Sequence, residues 1–543
     1  MNIKNILLGF IITLPLLTSC VGDLDVSPLD SHIQTADKIY AVKENYKKSL
    51  FKIYSVLAMS GQEGAGSSDI DGLDAGNAQF YRSWWNLQQI STDECINAWP
   101  DSWVREVNEM SWTSKNNESI EGVYQRAMYI VAISNDYMKQ TTDGNMSKRG
   151  IEEDFWPTVH GYRAEARFMR AFAYYILMDV YGNPPFITEN NYSTAPSQIG
   201  RDKLFDWIES ELKAILAELP EYGNVEYYGR ATKGVVNALL SRMYLNAEVY
   251  TGVARLDDCI KVSKEVINSG YALAPKYADL FKADNNRAEV AKEFIFPIVF
   301  DGTKTQSYGG IRYLIASSRG PKEVSIETDG YKDGWSGNRA LPTLVRKFEF
   351  ENSSRPTAST IKDSRGIFFD ENRSIEIDTW LKTFETEGWA VYKFTNLNSD
   401  GTPGTDAYSP DGDVPLFRLA EIYLNYAEAV LRGGNGGSKS EALQYVNDLR
   451  KRGYGNESGL IAEANLTLDF LLDERSRELY WEGLRRTDLV RYGYFTSNEY
   501  LWQFKGGVKN GTSIESHRSI FPIPASDLSV NGNLKQNPGY VNQ

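Results

Sequence analysis

The chain has 543 residues, 42% of them hydrophobic, and a formal net charge of −14. That is enough apolar material for a large packed core, and so acidic a surface repels phosphate backbones, which excludes nucleic acid and anionic lipid as preferred partners. The three histidines, His32, His160 and His517, are far apart in sequence and offer no paired spacing for a metal. Neither a GxSxG elbow nor a GxxxxGK[ST] loop occurs, so no metal or cofactor is expected. Aromatic residues are abundant, with 33 Tyr, 23 Phe and 12 Trp; such a supply suits a surface that stacks on flat, neutral ligands.

The N-terminus reads as a processed leader. A lysine at position 4 precedes an apolar run of twelve residues, Ile6 to Leu17, too short to cross a bilayer, which needs roughly 20. Leu17-Thr18-Ser19-Cys20 fits the bacterial lipobox. Residues 1–19 are therefore predicted to be removed, leaving Cys20 to carry acyl chains such as palmitate and to tie the protein to a membrane. Only Cys95 and Cys259 remain, too few for a disulfide framework, so packing must hold the core.

Helical periodicity dominates the chain beyond the leader. In YRAEARFMRAFAYYILMDVYG, Ala164, Phe168, Ala171, Tyr175 and Met178 form one stripe, which Gly182 and Pro184-Pro185 terminate. RDKLFDWIESELKAILAELP repeats the design, with Leu204, Ile208, Leu212 and Ile215 inward and Pro220 as terminator. Residues 244–271 and 423–454 resemble each other: both begin Tyr-Leu-Asn, pass through a turn into a second helix, and end Gly-Tyr. Such helix–turn–helix units resemble tetratricopeptide repeats, whose period is roughly 34 residues. Two stretches break the pattern. Residues 60–117 and about 293–415 are rich in Gly, Asp, Ser, Thr and Pro, with short β-like runs such as FIFPIVF. The fold class is thus mainly α: a tetratricopeptide-like helical-repeat scaffold with long irregular insertions and a few short strands. Ligand contacts are expected on the insertions.

The most charge-dense stretch is DERSRELYWEGLRRTDLVRYG, Asp473 to Gly493, with five acids and five arginines. Equal numbers argue against a phosphate patch, and a self-neutralised row along one helix is not a carboxylate pair facing across a cleft. Read as a helix over 473–491, it places Asp473–Arg477 and Glu482–Arg486 as i, i+4 pairs. Asp473, Glu478 and Arg485 are expected as buried structural anchors.

The same stretch resembles the C-terminal signature of the SusD/RagB family of Bacteroidetes outer-membrane lipoproteins. RAEARFMRAFAYYILMDVYGNPPF resembles that family's N-terminal signature, and FPIPASDLSVNGNLKQNPGY its typical end. The resemblance implies an N-terminal region over 20–230 and a C-terminal region over 231–543. It implies a surface-exposed, non-catalytic glycan binder, lipid-anchored to the outer membrane, acting as the lid of a SusC-type TonB-dependent porin. Asp23 and Asp25, just after the anchor, suit the surface export that the resemblance implies. GLDAGNAQFYR, STDECINAW, DGTKTQSYGGIRYL, DGWSG and YLWQFKGGVKNGTS are similar to segments of the family's starch-binding members, which implies an α-glucan ligand. The matching positions are Trp99, Tyr308 and Trp335 for an aromatic arc, with Asp74 and Arg82 as polar partners. Asn97 stands where one arc tryptophan is expected and is counted with these as a glycan-binding position, and Ser102 is a candidate for a further polar contact. The polar turn residues around Trp99 and Trp335 favour exposure of both rings; of Trp84 and Trp85, being adjacent, at least one is expected inward.

Two other classes stay open on the residues alone. A glycoside hydrolase would need an acid and a nucleophile or base at defined separation, and no motif singles out such a pair. A protein-binding adaptor is suggested by the repeats by themselves.

Overall fold

A computed structural model describes residues 35–541. The leader, Cys20, Asp23, Asp25 and His32 lie outside the described residues. Helix α1 (Lys43–Ser55) precedes α2 (Phe80–Gln89), α3 (Glu118–Gln140), α4 (Trp156–Tyr181) and α5 (Arg201–Ile215). These are followed by α6 (Lys233–Leu245), α7 (Leu256–Ile267), α8 (Leu419–Leu431), α9 (Lys439–Tyr454), α10 (Leu468–Leu479) and α11 (Arg485–Arg491). The predicted stripe of α4 is buried at all five positions, and the helix stops where Gly182 takes φ +74°. The stripe of α5 is buried throughout. Helix α9 opens on a capping box, Ser438 with Glu441, which satisfies two otherwise unpaired amides.

Neighbouring helices stack in series, α3 on α4, α4 on α5, and α6 through α9 on one another. The first sequence repeat forms the last two residues of α6, the separate short helix Ala247–Thr251 and α7, and the second forms most of α8 with α9. Helix α7 packs directly on α8 although about 150 residues separate them, so the long insertion is an excursion from a continuous helical stack. Among the described residues, six short strands pair antiparallel. They are β1 (Cys95–Asn97) with β3 (Asn338–Ala340), β2 (Phe294–Ile298) with β6 (Val414–Arg418), and β4 (Phe368–Phe369) with β5 (Ala390–Val391). The β2–β6 ribbon clasps the insertion at its base, and β1–β3 ties it to the other irregular segment.

The segment 473–491 is scaffold, but it is not one helix. Helix α10 ends at Leu479, and the chain turns at Trp481 (φ +65°) and Gly483 (φ +76°) before α11. The turn drives Trp481 inward: its Nε1 donates to Ser318 Oγ (3.2 Å), and its carbonyl accepts from Trp85 Nε1 (2.8 Å). The turn separates Glu482 from Arg486, so that expected i, i+4 pair does not form; Asp473 and Arg477 share α10 but do not pair, because each side chain takes another partner. Asp473 is about half-exposed, its side chain at 46%, and faces Lys347 at 3.3 Å, so it is not a buried anchor. Arg477 pairs with Glu474, Glu482 with Arg418 and Lys393, and Arg486 with Asp179.

Glu478 and Arg485 are buried anchors, with partners far away in sequence. Glu478 accepts from Arg418 (2.6 Å), Arg365 (2.9 Å) and Arg452. Arg485 holds Asp93 through both oxygens at 2.7 and 2.8 Å. Burial alone would raise the Glu478 carboxyl; Arg452, Arg418 and Arg365 outweigh it and hold the group well below the usual carboxylate range. Glu94 behaves oppositely: burial, reinforced by Asp93 and only partly offset by Arg485, raises it to about 7. A depressed acid stabilises the fold above its unfolded pKa and loses that contribution as pH falls. Glu478→Ala is expected to cost about 3 kcal/mol or more at neutral pH, because three guanidiniums lose a buried partner. Denaturant titration of both proteins should show this gap narrowing as pH falls below about 4. A pH-independent gap would contradict the assignment.

Candidate binding site

The β1–β3 ladder creates the site. Asn97 lies opposite Asn338, and one step further Ala98 N donates to Gly337 O at 2.9 Å. The two chains thereby emerge side by side, bringing Trp99 next to Trp335, where Trp99 Nε1 donates to Trp335 O at 2.8 Å. A Cβ added at Gly337 would lie 2.7 Å from the Trp99 ring, so glycine there is what lets the indole settle. Tyr308 arrives from the turn before the short helix Gly310–Ala316. Its ring lies 6.3 Å from that of Trp335, inclined by 54°, so the rings follow a bend.

Polar groups fix this arc from behind and alongside. Trp335 Nε1 donates to Asp333 Oδ2 (2.8 Å), which also accepts from Arg312 Nη2 (3.2 Å), and the Arg312 guanidinium lies 4.6 Å from the Tyr308 ring. Arg82, on α2, is buried; it stacks at 4.6 Å on Tyr313 and approaches Trp99 and Trp335 at 5.5 and 5.7 Å. Its guanidinium donates to Asn77 and to Tyr308 O (3.3 Å). Exposed Asp74 organises the adjoining turn, Oδ1 accepting from the amides of Gly76 (2.8 Å) and Asn77 (2.6 Å).

Trp99, Trp335, Tyr308, Asp74 and Arg82 line one open cleft of about 420 Å³, together with Asn77, Asp101 and Trp103. Asn97 does not join them. It is fully buried, donating to Asn338 Oδ1 (2.7 Å) and accepting from the Trp99 amide (2.8 Å), so it is floor beneath the arc and not a contact surface. Ser102 begins a short helix and lies off the cleft lining, while Asp101 beside it is on that lining. The exposure expected for Trp99 and Trp335 is only partial, since both rest against the core; Tyr308, at 39%, is the most accessible ring. Trp84 and Trp85 both point inward. Arg312, Tyr313 and Asp333 escaped the sequence reading, although they stand inside the quoted stretches that carry Tyr308 and Trp335. A larger cavity, of about 730 Å³, lies elsewhere and contains none of the predicted residues.

Residues 30–245 match a family described as starch-binding and associating with the outer membrane, and residues 292–540 match the SusD family. The starch-binding protein SusD of Bacteroides thetaiotaomicron is 35% identical, covering 96% of each chain. A SusD-like protein of Bacteroides ovatus is 23% identical over 80% of this chain and 78% of its own. Among solved structures, a SusD superfamily protein from Parabacteroides distasonis superposes with a TM-score of 0.68 at 21% identity, covering 92% of this chain and 99% of that one. Surface glycan-binding protein A from Bacteroides thetaiotaomicron, in complex with laminarihexaose, gives 0.66 at 20% identity over 91% and 99%. The chain belongs to the SusD family, described as associated with the outer membrane. The relatives SusD and surface glycan-binding protein A are named for binding and not for a catalytic activity.

Because Trp99 leaves no room above Gly337, Gly337→Ala should displace the indole and destabilise the fold by about 1–3 kcal/mol. Chemical denaturation followed by tryptophan fluorescence checks this. An unchanged midpoint with an unchanged spectrum would show that the ring is not held as described.

Proposed function

We propose that this chain is a non-catalytic, outward-facing outer-membrane lipoprotein that captures a neutral α-glucan on the Trp99–Trp335–Tyr308 arc and delivers it to a SusC-type TonB-dependent transporter. The observation that carries the reading is the convergence of three aromatic rings with Arg82 and Asp74 on one open cleft. Pyranose rings present C–H faces that pack on indole and phenol rings, while their hydroxyls seek charge-assisted bonds from Arg and Asp. A bent row of rings suits a polymer that curves. The 35% relative is named for starch, which supports α-glucan over other neutral polymers. The lipobox at Cys20 and the family's association with the outer membrane support the anchor, and the anchor with the open cleft supports the role of feeding a transporter. The division into an N-terminal region over 20–230 and a C-terminal region over 231–543 belongs to the same proposal.

Each stacking ring should contribute on the order of 1 kcal/mol, and rings sharing one ligand couple. Trp335→Ala combined with Tyr308→Ala should therefore abolish measurable heat with maltooligosaccharides in isothermal titration, with the melting temperature near that of the wild type. Fructan and xylan oligosaccharides serve as controls: binding confined to them removes the α-glucan assignment, and full binding by the double variant moves the site. No new reducing ends should appear on incubation with glycan; their appearance would favour a hydrolase.

Membrane attachment should depend on one residue. Cys20→Ala should release the protein from membranes of a strain lacking the partner transporter, because that residue carries all the acyl chains. Undiminished association in that strain would overturn the lipobox reading.

A further inference from the structure

The cavity of about 730 Å³ lies between α3, the loop over 185–196 and the C-terminal helix Ala525–Val530. Its floor is one face of α3, where Met128 and Tyr129 are half-buried and Ala132 is exposed. Tyr192 and Val530 stand on its rim at 80% and 79% exposure. Polar groups are set among these apolar surfaces. Asn135 is fixed by Arg170 at 2.7 Å, Asp527 accepts from the Tyr124 hydroxyl, and Asp136 is exposed at the groove edge. Tyrosine faces interleaved with amide and carboxylate acceptors suit a neutral polyhydroxy ligand, and the carboxylates disfavour an anion.

The groove is coupled to the arc by one loop. Ile70 lines the groove, while Gly66, Asp74 and Asn77 of the same loop line the arc cleft. Four residues of chain span at most about 15 Å, so the two cavities approach each other across that loop. The loop is also anchored to the groove's own floor helix. Arg126 of α3 is fully buried and donates to Ser60 O (2.8 Å), Ser68 Oγ (3.0 Å) and Ala78 O (3.0 Å), gripping the loop at both ends and near its middle.

We propose that this groove is a second carbohydrate-contact surface, which receives the part of a long neutral glucan that extends from the arc across the loop over 60–78. The inference rests on the arc reading and adds a chain-length dependence to it. Isothermal titration with maltohexaose and with a long linear α-glucan tests it, using the wild type, the Tyr129→Ala/Tyr192→Ala double variant and Ala132→Arg, which fills the groove from an exposed position. Both variants should bind the long glucan about tenfold more weakly than the wild type, the double variant through two lost ring contacts and Ala132→Arg by occupying the groove. Their affinity for maltohexaose should change less than about twofold, because the arc is untouched. Unchanged affinity for the long glucan in both variants overturns the inference, as does an equal loss for both ligands, which would mean the groove acts through the arc. If the wild type binds neither ligand, the α-glucan assignment of the arc fails and the inference falls with it.

Discussion

The structure depends on a buried ion-pair hub built by residues 474–488. Taking charges out of water is costly, and removing one partner from such a cluster leaves the others uncompensated. Here each buried acid is multiply met: Glu474 by Arg365, Arg450 and Arg477, and Glu478 by Arg365, Arg418 and Arg452. The partners come from both irregular segments as well as from the helices. Asp93 and Glu94, from the first, meet Arg485 and Ser476. Arg365 and Lys393, from the second, meet Glu478 and Glu482. The Glu474 carboxyl, raised by burial but drawn down more strongly by Arg365, Arg477 and Arg450, sits at about 2, so it is charged throughout the neutral range.

That hub explains how so little β-structure positions a binding surface. Ribbons of two to five residues are marginal by themselves, yet the β1–β3 register decides which aromatic rings meet. With both segments pinned to α10 and α11, the ladder needs only to align chains already held close. The arc is then locked ring by ring, Trp99 to the Trp335 carbonyl, Trp335 to Asp333, and Arg82 against Tyr313. Contacts held before the ligand arrives reduce the ordering cost of binding, and irregular segments carried on a rigid helical frame are where such surfaces are usually found.

Much of the frame was legible in the sequence because its information is local. The stripe from Ala164 to Met178 and the Gly182 terminator are read by counting along one helix. The break at Trp481 was not legible, since nothing in the apolar period signals a tryptophan with positive φ; its cause is tertiary, the indole docking on Ser318 and Trp85. The i, i+4 rule paired Glu482 with Arg486 because it sees only neighbours along the chain, whereas Lys393 and Arg418 lie 89 and 64 residues away. The five residues now found on the cleft were identified through family resemblance; composition and spacing did not single them out. Asn97 failed as a contact because position in the chain does not report burial: strand β1 turns it under Trp99. Arg312 and Asp333 went unnoticed because their role is to hold a ring from behind, a property of geometry with no motif of its own.

The crystal structure of the protein with a maltooligosaccharide tests most directly whether the hub-positioned arc holds an α-glucan. Sugar faces should lie against Trp99, Trp335 and Tyr308, with hydroxyls within hydrogen-bond distance of Arg82 and Asp74, and the ring positions should match those of the unliganded protein. Sugar bound away from this cleft, or an arc assembled only on binding, would contradict the account.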